Sequence, residues 1–309
     1  MLSFTKRKQT GWTAVCLYPG RVDVARVRLG AGKPELEMFQ SYERGADDTA
    51  TLHRLSKTLG LAHQACTTLL PPGGYQFLQT EAPDVPKEEM REALRWQVKD
   101  MVDFPVDQAT LDVLEIPQSP GGGRRMVYVV ISRNDQLTPL ITHFRKADAG
   151  LAAIDIPEMA QRNLASLCET EGRGLALLSF DDSGGLLTFT ANGELYMVRR
   201  VEVSLKQLTN SDDNRRQQLL DRIGLELQRS LDNFDRQFSF IPINRLMLAP
   251  GPFTASLQNF LGDYLGMSVE IMDLAAVLDI SAVVGLDDPE RQAQCLATIG
   301  VALRQGEAP

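Results

Sequence analysis

The sequence predicts an α/β protein made of two halves that share one local plan. Short apolar and β-branched runs bounded by turn residues occur in two sets of three, which indicates two three-strand meanders. Each meander is followed by a helical stretch and a further strand. Such a repeat favours two related lobes that face each other across a cleft. The six runs are 12–17, 22–29, 35–42, 174–180, 186–191 and 194–201.

In the first half, the turn Pro19-Gly20 separates the first two strands. A helix is predicted over residues 47–60, because its apolar residues recur once per turn and Gly60 is a typical helix end. A strand over 66–70 follows and is stopped by Pro71-Pro72.

In the second half, Asn192-Gly193 is a strong hairpin signal between two strands. The longest helix is predicted over 214–238, where an apolar stripe repeats at helical spacing, and Pro242 follows it. The remaining predicted elements are a strand at 245–249, a helix at 254–265, a strand at 267–271 and a C-terminal helix at 289–304.

The stretch between the halves has a plan of its own. Pro86 opens a helix whose apolar positions are Met90, Leu94, Val98 and Met101, and Phe104-Pro105 ends it. Strands at 110–116 and 126–131, a helix at 135–146 and a connecting helix at 156–170 follow. We therefore expect a first lobe at 1–84, an inserted subdomain at 85–150, a return helix within 151–172 and a second lobe at 173–309.

Composition limits the function. The 309 residues are 43% hydrophobic and 23% charged, as in ordinary globular proteins. A net charge of -8 argues against a nucleic-acid groove. No apolar run approaches the ~18 residues that a membrane span needs. The four cysteines have no CxxC spacing, which is typical of a reducing compartment, so we expect a cytoplasmic protein.

Few residues suggest chemistry. The segment 181–185, Asp-Asp-Ser-Gly-Gly, has the composition of a loop that presents amides to phosphate or a carboxylate to a cation, but a plain turn is the favoured interpretation. Ala249–Pro252 lies between a strand and a helix, where a ligand often binds, yet its two prolines lack amide hydrogens. His53, His63 and His143 show no ligand spacing, so no metal site is expected.

Two helical positions have open interpretations. Trp96 lies about 200° around its helix from Leu94 and so faces away from the apolar stripe. It either forms a second contact surface or packs against another element of the insert, and packing is the favoured interpretation. On the long helix, Glu226 and Arg229 are spaced for an exposed ion pair.

Five stretches distributed along the chain carry a family resemblance: ALRWQVKDMVDFPVDQATLDVLEI (93–116), the segment 127–167, QQLLDRIGLELQRSLDNF (217–234), the segment 245–274 and ATIGVALRQ (297–305). Over nearly its full length the chain resembles the PilM/MshI family, actin-like cytoplasmic proteins of type IV pilus assembly. The combination of stretches is specific, although no single short motif is. The resemblance implies an actin-like ATPase (ribonuclease H-like) duplicated α/β fold with the extra subdomain of FtsA and PilM.

The family pattern also implies where nucleotide would bind, and this chain departs from it. In AVCLYPGRV (14–22), Leu17 and Tyr18 replace small polar residues of the first phosphate loop. At the second phosphate loop, Ser179 takes the place of the family aspartate. We therefore expect a degenerate cleft without cofactor and no enzymatic activity. The residues expected at that cleft are Tyr18, Asp181, Asp182, Ser183, Gly184, Glu226 and Gly251.

The implied partner is the cytoplasmic tail of a single-span inner-membrane protein of the PilN/MshJ kind, bound as an extended segment beside the extra subdomain. The expected groove residues are Met90, Arg91, Leu94, Arg95 and Trp96. The resulting hypothesis is a non-catalytic scaffold of an MSHA-like pilus, peripheral to the inner membrane, with the secretion ATPase and a second copy as further partners. The alternative is an actin-like switch that binds ATP and magnesium.

Overall fold

A computed structural model describes residues 11–30, 32–118, 121–286 and 288–305. The strands are β1 Thr13–Tyr18, β2 Arg21–Arg28, β3 Glu35–Glu43, β4 Cys66–Leu69, β5 Gln76–Glu81, β6 Ala109–Glu115, β7 Met126–Arg133, β8 Leu151–Asp155, β9 Gly174–Asp181, β10 Gly184–Ala191, β11 Glu194–Val201, β12 Ile243–Leu248 and β13 Ser268–Ile271. The helices are α1 Asp48–Leu59, α2 Met90–Gln97, α3 Asn134–Lys146, α4 Pro157–Cys168, α5 Leu205–Asn210, α6 Asp213–Gln237, α7 Thr254–Leu265, α8 Leu274–Val277 and α9 Pro289–Ala302.

Two sheets of the same topology form the two lobes. The first has the order β3-β2-β1-β4-β8 and the second the order β11-β10-β9-β12-β13. In each sheet the meander is antiparallel and the two remaining strands run parallel to its first strand. The repeat predicted from the sequence is thus a structural duplication, although the strand β8 that completes the first sheet was not predicted.

Local sequence signals account for the element ends. The side chain of Asp47 accepts hydrogen bonds from the amides of Thr49 and Ala50 and caps the start of α1. Gly60 ends that helix with φ 67°, a left-handed conformation that glycine adopts without a Cβ penalty. In the second lobe, Asn192 and Gly193 both have positive φ, as the predicted hairpin turn requires.

Two helices cross between the lobes. Helix α4, which leaves the first lobe, packs on β9 and β10 of the second sheet, and α9, which ends the second lobe, packs on β1 and β2 of the first sheet. The two helices also pack on each other, and their apolar residues share one buried core with both sheets. This exchange joins the lobes through a continuous hydrophobic core.

A small subdomain has its own sheet in the order β5-β7-β6. One sheet face packs against α2, which buries Met90, Leu94 and Val98. The opposite face carries Tyr128 and Ile116 into the core of the second lobe. The subdomain is therefore held between its own helix and the second lobe.

The insert differs in three ways from the predicted range 85–150. Its sheet includes β5, which precedes residue 85. Helix α3 lies in that range but packs on the first lobe, where its Phe144 joins the core of Leu52 and Leu55. The predicted helix from Pro86 is shorter, since α2 ends at Gln97, a 3₁₀ turn follows, and Met101 is 45% exposed. The hydrophobic spacing extends farther than the helix because 3₁₀ turns also repeat about every three residues.

Among the helices of the described residues, none combines the length and the apolar composition that a membrane crossing requires.

Candidate functional site

Tyr18, the first expected cleft residue, is the last residue of β1 and precedes the turn to β2. Its hydroxyl is 3.1 Å from Thr298 Oγ1 on α9, and the Arg21 guanidinium lies 4.6 Å from its ring centroid. Burial raises the pKa of the Tyr18 hydroxyl, so it remains neutral. Pro19, next in the turn, has no amide to donate. Tyr18 therefore acts as a packed link between this turn and the last helix.

The turn between β9 and β10 is closed by its own aspartate. Asp181 Oδ1 accepts hydrogen bonds from the amides of Ser183, at 2.7 Å, and of Gly184, at 3.1 Å. These are amides that an anion would otherwise need, and the carboxylate also adds negative charge. Asp182 points away and pairs with Lys206 at 2.8 Å. The favoured interpretation of this segment as a turn agrees with the structure.

Ser179 lies at the strand end before this turn, where the resemblance implies an aspartate. Its hydroxyl donates to Gln161 Oε1 at 2.6 Å, and Gln161 Nε2 donates to the carbonyl oxygens of Leu177 and Leu186 at 2.7 and 3.0 Å. Gln161 is 5% exposed. A buried amide side chain on α4 thus satisfies the polar groups between β9 and β10.

The loop at Gly251 is also closed. Thr254 Oγ1 donates to the carbonyl oxygen of Ala249 at 3.0 Å, and the Thr254 amide donates to that of Gly251 at 3.2 Å. The cavity beside this loop has a volume of about 40 Å³. Small-molecule pockets usually have about 300–1,000 Å³, so this one holds about one water molecule.

Glu226 lies elsewhere on the second lobe. The start of α6 approaches the Gly251 loop through Arg216, whose guanidinium is 5.6 Å from the Phe253 ring. Ten residues later, Glu226 lies about 15 Å farther along the helix axis. It pairs with Arg222 at 3.1 Å, so the predicted pairing with Arg229 is wrong. Arg222 also pairs with Glu202 at 2.8 Å, so its guanidinium lies between two carboxylates.

The five expected groove residues divide into three groups. Met90 and Leu94 are buried against the sheet and are absent from the surface. Arg95 donates to the carbonyl oxygens of Val106 and Ala109 and so fixes the loop before β6. Arg91 and Trp96 are the exposed members of the set.

Trp96 is 63% exposed, which contradicts the favoured expectation that it packs inside the insert. Its indole Nε1 donates to Glu92 Oε1 at 3.1 Å, and the Lys99 ammonium lies 5.8 Å from its ring centroid. The helix is too short to bring this face under a neighbouring element. Trp96 therefore belongs to the surface.

A groove of about 420 Å³ lies between the small subdomain and the start of α3. Its acidic side chains are Asp103, Asp107 and Asp135, and its one cation, Arg133, pairs with Asp135 at 3.1 Å. The loop that Arg95 fixes supplies most of the lining. Sequence periodicity did not identify this groove, because its lining combines residues 103–108 with residues 133–135, which are distant in the chain. The lining residues are Asp103, Phe104, Pro105, Asp107, Gln108, Arg133, Asn134 and Asp135.

A buried cluster also escaped the sequence analysis. Glu158, on the first turn of α4, is 1% exposed and accepts hydrogen bonds from Tyr75, at 2.6 Å, and from Arg200, at 2.5 Å. Tyr75 precedes β5 and Arg200 lies on β11. In the sequence, only the polar residue Glu158 on the buried face of the predicted helix 156–170 indicated this cluster.

Within the described ranges, no group of three or more histidine, cysteine, aspartate or glutamate residues is arranged to hold a metal ion.

No protein-family model matches this chain, and no curated protein matches it by sequence. Among solved structures, a chain of the PilM-PilN type IV pilus biogenesis complex is similar, with 20% identity and a TM-score of 0.72 over 96% of this chain and 98% of that one. This match spans both lobes and the small subdomain.

Two further structures are similar at TM-scores below 0.5 and support no inference. The cytoplasmic domain of EpsL, an inner membrane component of the type II secretion system of Vibrio cholerae, is 12% identical, with a TM-score of 0.49 over 97% of this chain and 98% of that one. A Bacteroides thetaiotaomicron protein with an actin-like ATPase fold and unknown function is 11% identical, with a TM-score of 0.48 over 92% of this chain and 98% of that one.

The duplicated sheets, the crossing helices and the inserted three-stranded subdomain confirm the fold that the sequence predicted. The chain has the actin-like α/β fold, in the form shared with its match in the PilM-PilN type IV pilus biogenesis complex.

Proposed function

We propose that this protein is a non-catalytic scaffold of type IV pilus assembly, of the MSHA-like kind that its sequence resembles, on the cytoplasmic face of the inner membrane. The observation that carries the proposal is the closed turn between β9 and β10, where the amides of Ser183 and Gly184 donate their hydrogen bonds to Asp181. The cavity beside Gly251 has a volume of about 40 Å³, far below the usual volume of a small-molecule pocket. What remains functional in such a fold is its surface.

The partner that fits this surface is the cytoplasmic tail of a single-span inner-membrane protein. Cytoplasmic segments next to a membrane span are enriched in lysine and arginine. The groove beside the small subdomain carries three aspartates and one arginine, so its charge is complementary to such a tail. Opposite charges raise the association rate and fix the orientation of the partner.

The tail binds in an extended form, with alternate side chains turned into the groove. Phe104 and Pro105 provide the apolar part of the lining between Asp103 and Asp107. Arg95, which holds this loop by two carbonyl oxygens, positions the groove without touching the tail. Trp96 and Arg91 lie on the exposed face of α2, next to that loop in sequence.

Calorimetry with a synthetic amino-terminal tail of the membrane partner tests this assignment. We expect a dissociation constant in the micromolar range or below, and binding at least tenfold weaker for Asp107→Lys. Glu171→Lys is the matched control, because Glu171 is exposed and lies outside the groove. Absence of binding by the folded wild-type protein would refute the scaffold role, and equal affinity of both variants would refute this groove.

The competing function is an ATP-dependent switch in the same machinery. Equilibrium binding of labelled ATP, with and without magnesium, distinguishes the two. The scaffold function predicts no saturable binding below about 100 μM. Saturable, magnesium-dependent binding in that range would favour the switch and overturn the closed cleft. The secretion ATPase and a second copy of the chain are further partners that we propose on the resemblance alone.

A further inference from the structure

The cluster of Tyr75, Glu158 and Arg200 joins three separate parts of the molecule. Tyr75 belongs to the segment that leads from the first lobe into the small subdomain, Glu158 to the crossing helix α4, and Arg200 to the second lobe. Both carboxylate oxygens of Glu158 are engaged, Oε2 by Tyr75 and Oε1 by Arg200. Arg200 also donates to the Tyr75 hydroxyl at 3.2 Å, which closes the triangle.

The position of the cluster makes its bonds sensitive to the arrangement of the lobes. Glu158 is 1% exposed, so its charge depends on these partners for compensation. The Arg200 side chain is 40% exposed and can reach water when the contact opens. Breaking the cluster therefore leaves an uncompensated carboxylate on α4 and a solvated arginine on β11.

A second contact supports the same junction. The Tyr128 hydroxyl of the small subdomain donates to the carbonyl oxygen of Tyr196 on β11 at 3.2 Å, and Phe77 stacks on Tyr128 with ring centroids 4.5 Å apart. Strand β11 is an edge of the second sheet. Strand β11 thus contacts Tyr75, at the entry to the small subdomain, through Arg200, and Tyr128, within the subdomain, through the carbonyl oxygen of Tyr196.

We propose that the Tyr75–Glu158–Arg200 cluster is a latch that fixes the small subdomain and the second lobe against each other without nucleotide. The two lobes are already joined by α4 and α9, whereas the small subdomain is an insert, so its orientation on the second lobe depends on contacts such as this cluster. This inference rests on the proposed absence of nucleotide but not on the pilus partner. A tail that binds beside the small subdomain then binds to a small subdomain and a second lobe that move together as one rigid body.

The test is a distance measurement between spin labels at Gln97→Cys on the small subdomain and Asp232→Cys on α6, both exposed positions. The four native cysteines are buried, so labelling is confined to the introduced pair. In the wild-type background we expect a single narrow distance that Mg·ATP does not change. In Glu158→Ala and Arg200→Ala we expect the distribution to broaden at least twofold.

Glu158→Gln and Tyr75→Phe separate the charge from the packing. Glu158→Gln retains hydrogen bonding and should broaden the distribution less than Glu158→Ala does. Arg124→Ala, which removes an exposed ion pair with Glu81, is the control and should leave the distance unchanged. If Arg200→Ala, folded by circular dichroism, keeps the wild-type distribution, the latch is refuted. Tail binding is measured separately, so its failure would not be confused with this result.

Discussion

Gly300 of α9 lies directly against Ala160 of α4, so closely that a Cβ on Gly300 would be 2.4 Å from the Ala160 carbonyl oxygen. Asn163 secures the same crossing, because its Nδ2 donates to the Gly300 carbonyl oxygen at 2.9 Å. Each of these helices packs on the sheet of the other lobe. At Gly300 the two helices that join the lobes therefore pack backbone against backbone.

Gly300→Ala should destabilise the protein by about 1–3 kcal/mol, because the helices must separate to admit the methyl group. Urea unfolding measures the change in the free energy of unfolding. Gly262→Ala on α7 is the matched control, since nothing lies within 4 Å of the added Cβ. The control should be neutral or up to about 1 kcal/mol more stable. Equal effects at both positions would contradict a tight crossing.

Asp155 should give an unusual pH dependence. Burial raises the pKa of this carboxyl above its ordinary 3.8, even though Arg304 opposes the shift from 2.9 Å. The folded state therefore binds the proton more tightly than the unfolded state does. The contribution of Asp155 to stability is fully present below pH 3.8 and is lost as the pH rises through the folded value.

The free energy of unfolding of the wild type relative to Asp155→Asn should therefore increase as the pH is lowered from 7 towards 4. Asp48→Asn provides the opposite sign, because a hydrogen bond from Arg44 lowers the pKa of Asp48. The contribution of Asp48 to stability is present above pH 3.8 and is lost as the pH falls through the pKa that Asp48 has in the folded state. Urea titrations at several pH values measure both, and parallel curves for the two variants would contradict the assignment.

Asp181 and Asp182 are adjacent yet should differ in effect. Asp181→Ala removes the acceptor for two turn amides and should cost about 1 kcal/mol. Asp182→Ala removes only an exposed ion pair with Lys206 and should cost less than about 0.5 kcal/mol. Thermal and urea unfolding measure the difference, and a larger loss for Asp182→Ala would show that the turn is not closed as described.

The cysteine thiols should resist modification in the folded state. Burial raises the pKa of Cys16 and Cys295 to about 12 and that of Cys66 and Cys168 to about 11. Because the thiolate is the reactive form, Ellman's reagent should react with these thiols only on unfolding. Urea-dependent labelling followed by mass spectrometry measures this, and rapid labelling of any of them without denaturant would indicate local opening.

Sequence-based predictions were correct where residues close together in the chain determine the local backbone conformation. The Asn192-Gly193 turn and the glycine end at Gly60 formed as predicted, and the helix predicted from residue 47 begins with a cap by the Asp47 side chain. These features need only a preferred backbone conformation and a nearby hydrogen bond. The helix from Pro86 ended early, because periodicity does not distinguish an α-helix from a following 3₁₀ turn.

The candidate site was harder to predict because its contacts join distant parts of the chain. The resemblance implied that Met90 and Leu94 line a groove, whereas the packing of α2 on the sheet β5-β7-β6 buries both side chains in a core. Gln161 filled the space beside Ser179 from another element. Neither result follows from spacing alone.

The sequence by itself determined the duplicated α/β plan, because hydrophobic period and turn chemistry are written in consecutive residues. It also determined that Pro19, Pro250 and Pro252 have no amide hydrogen to donate. Only the tertiary structure decided which charges meet, as with Glu158 and Arg200, and which surface stays open, as with the acidic groove. The physical reason is that burial and pairing depend on long-range packing, which brings together residues that no local pattern relates.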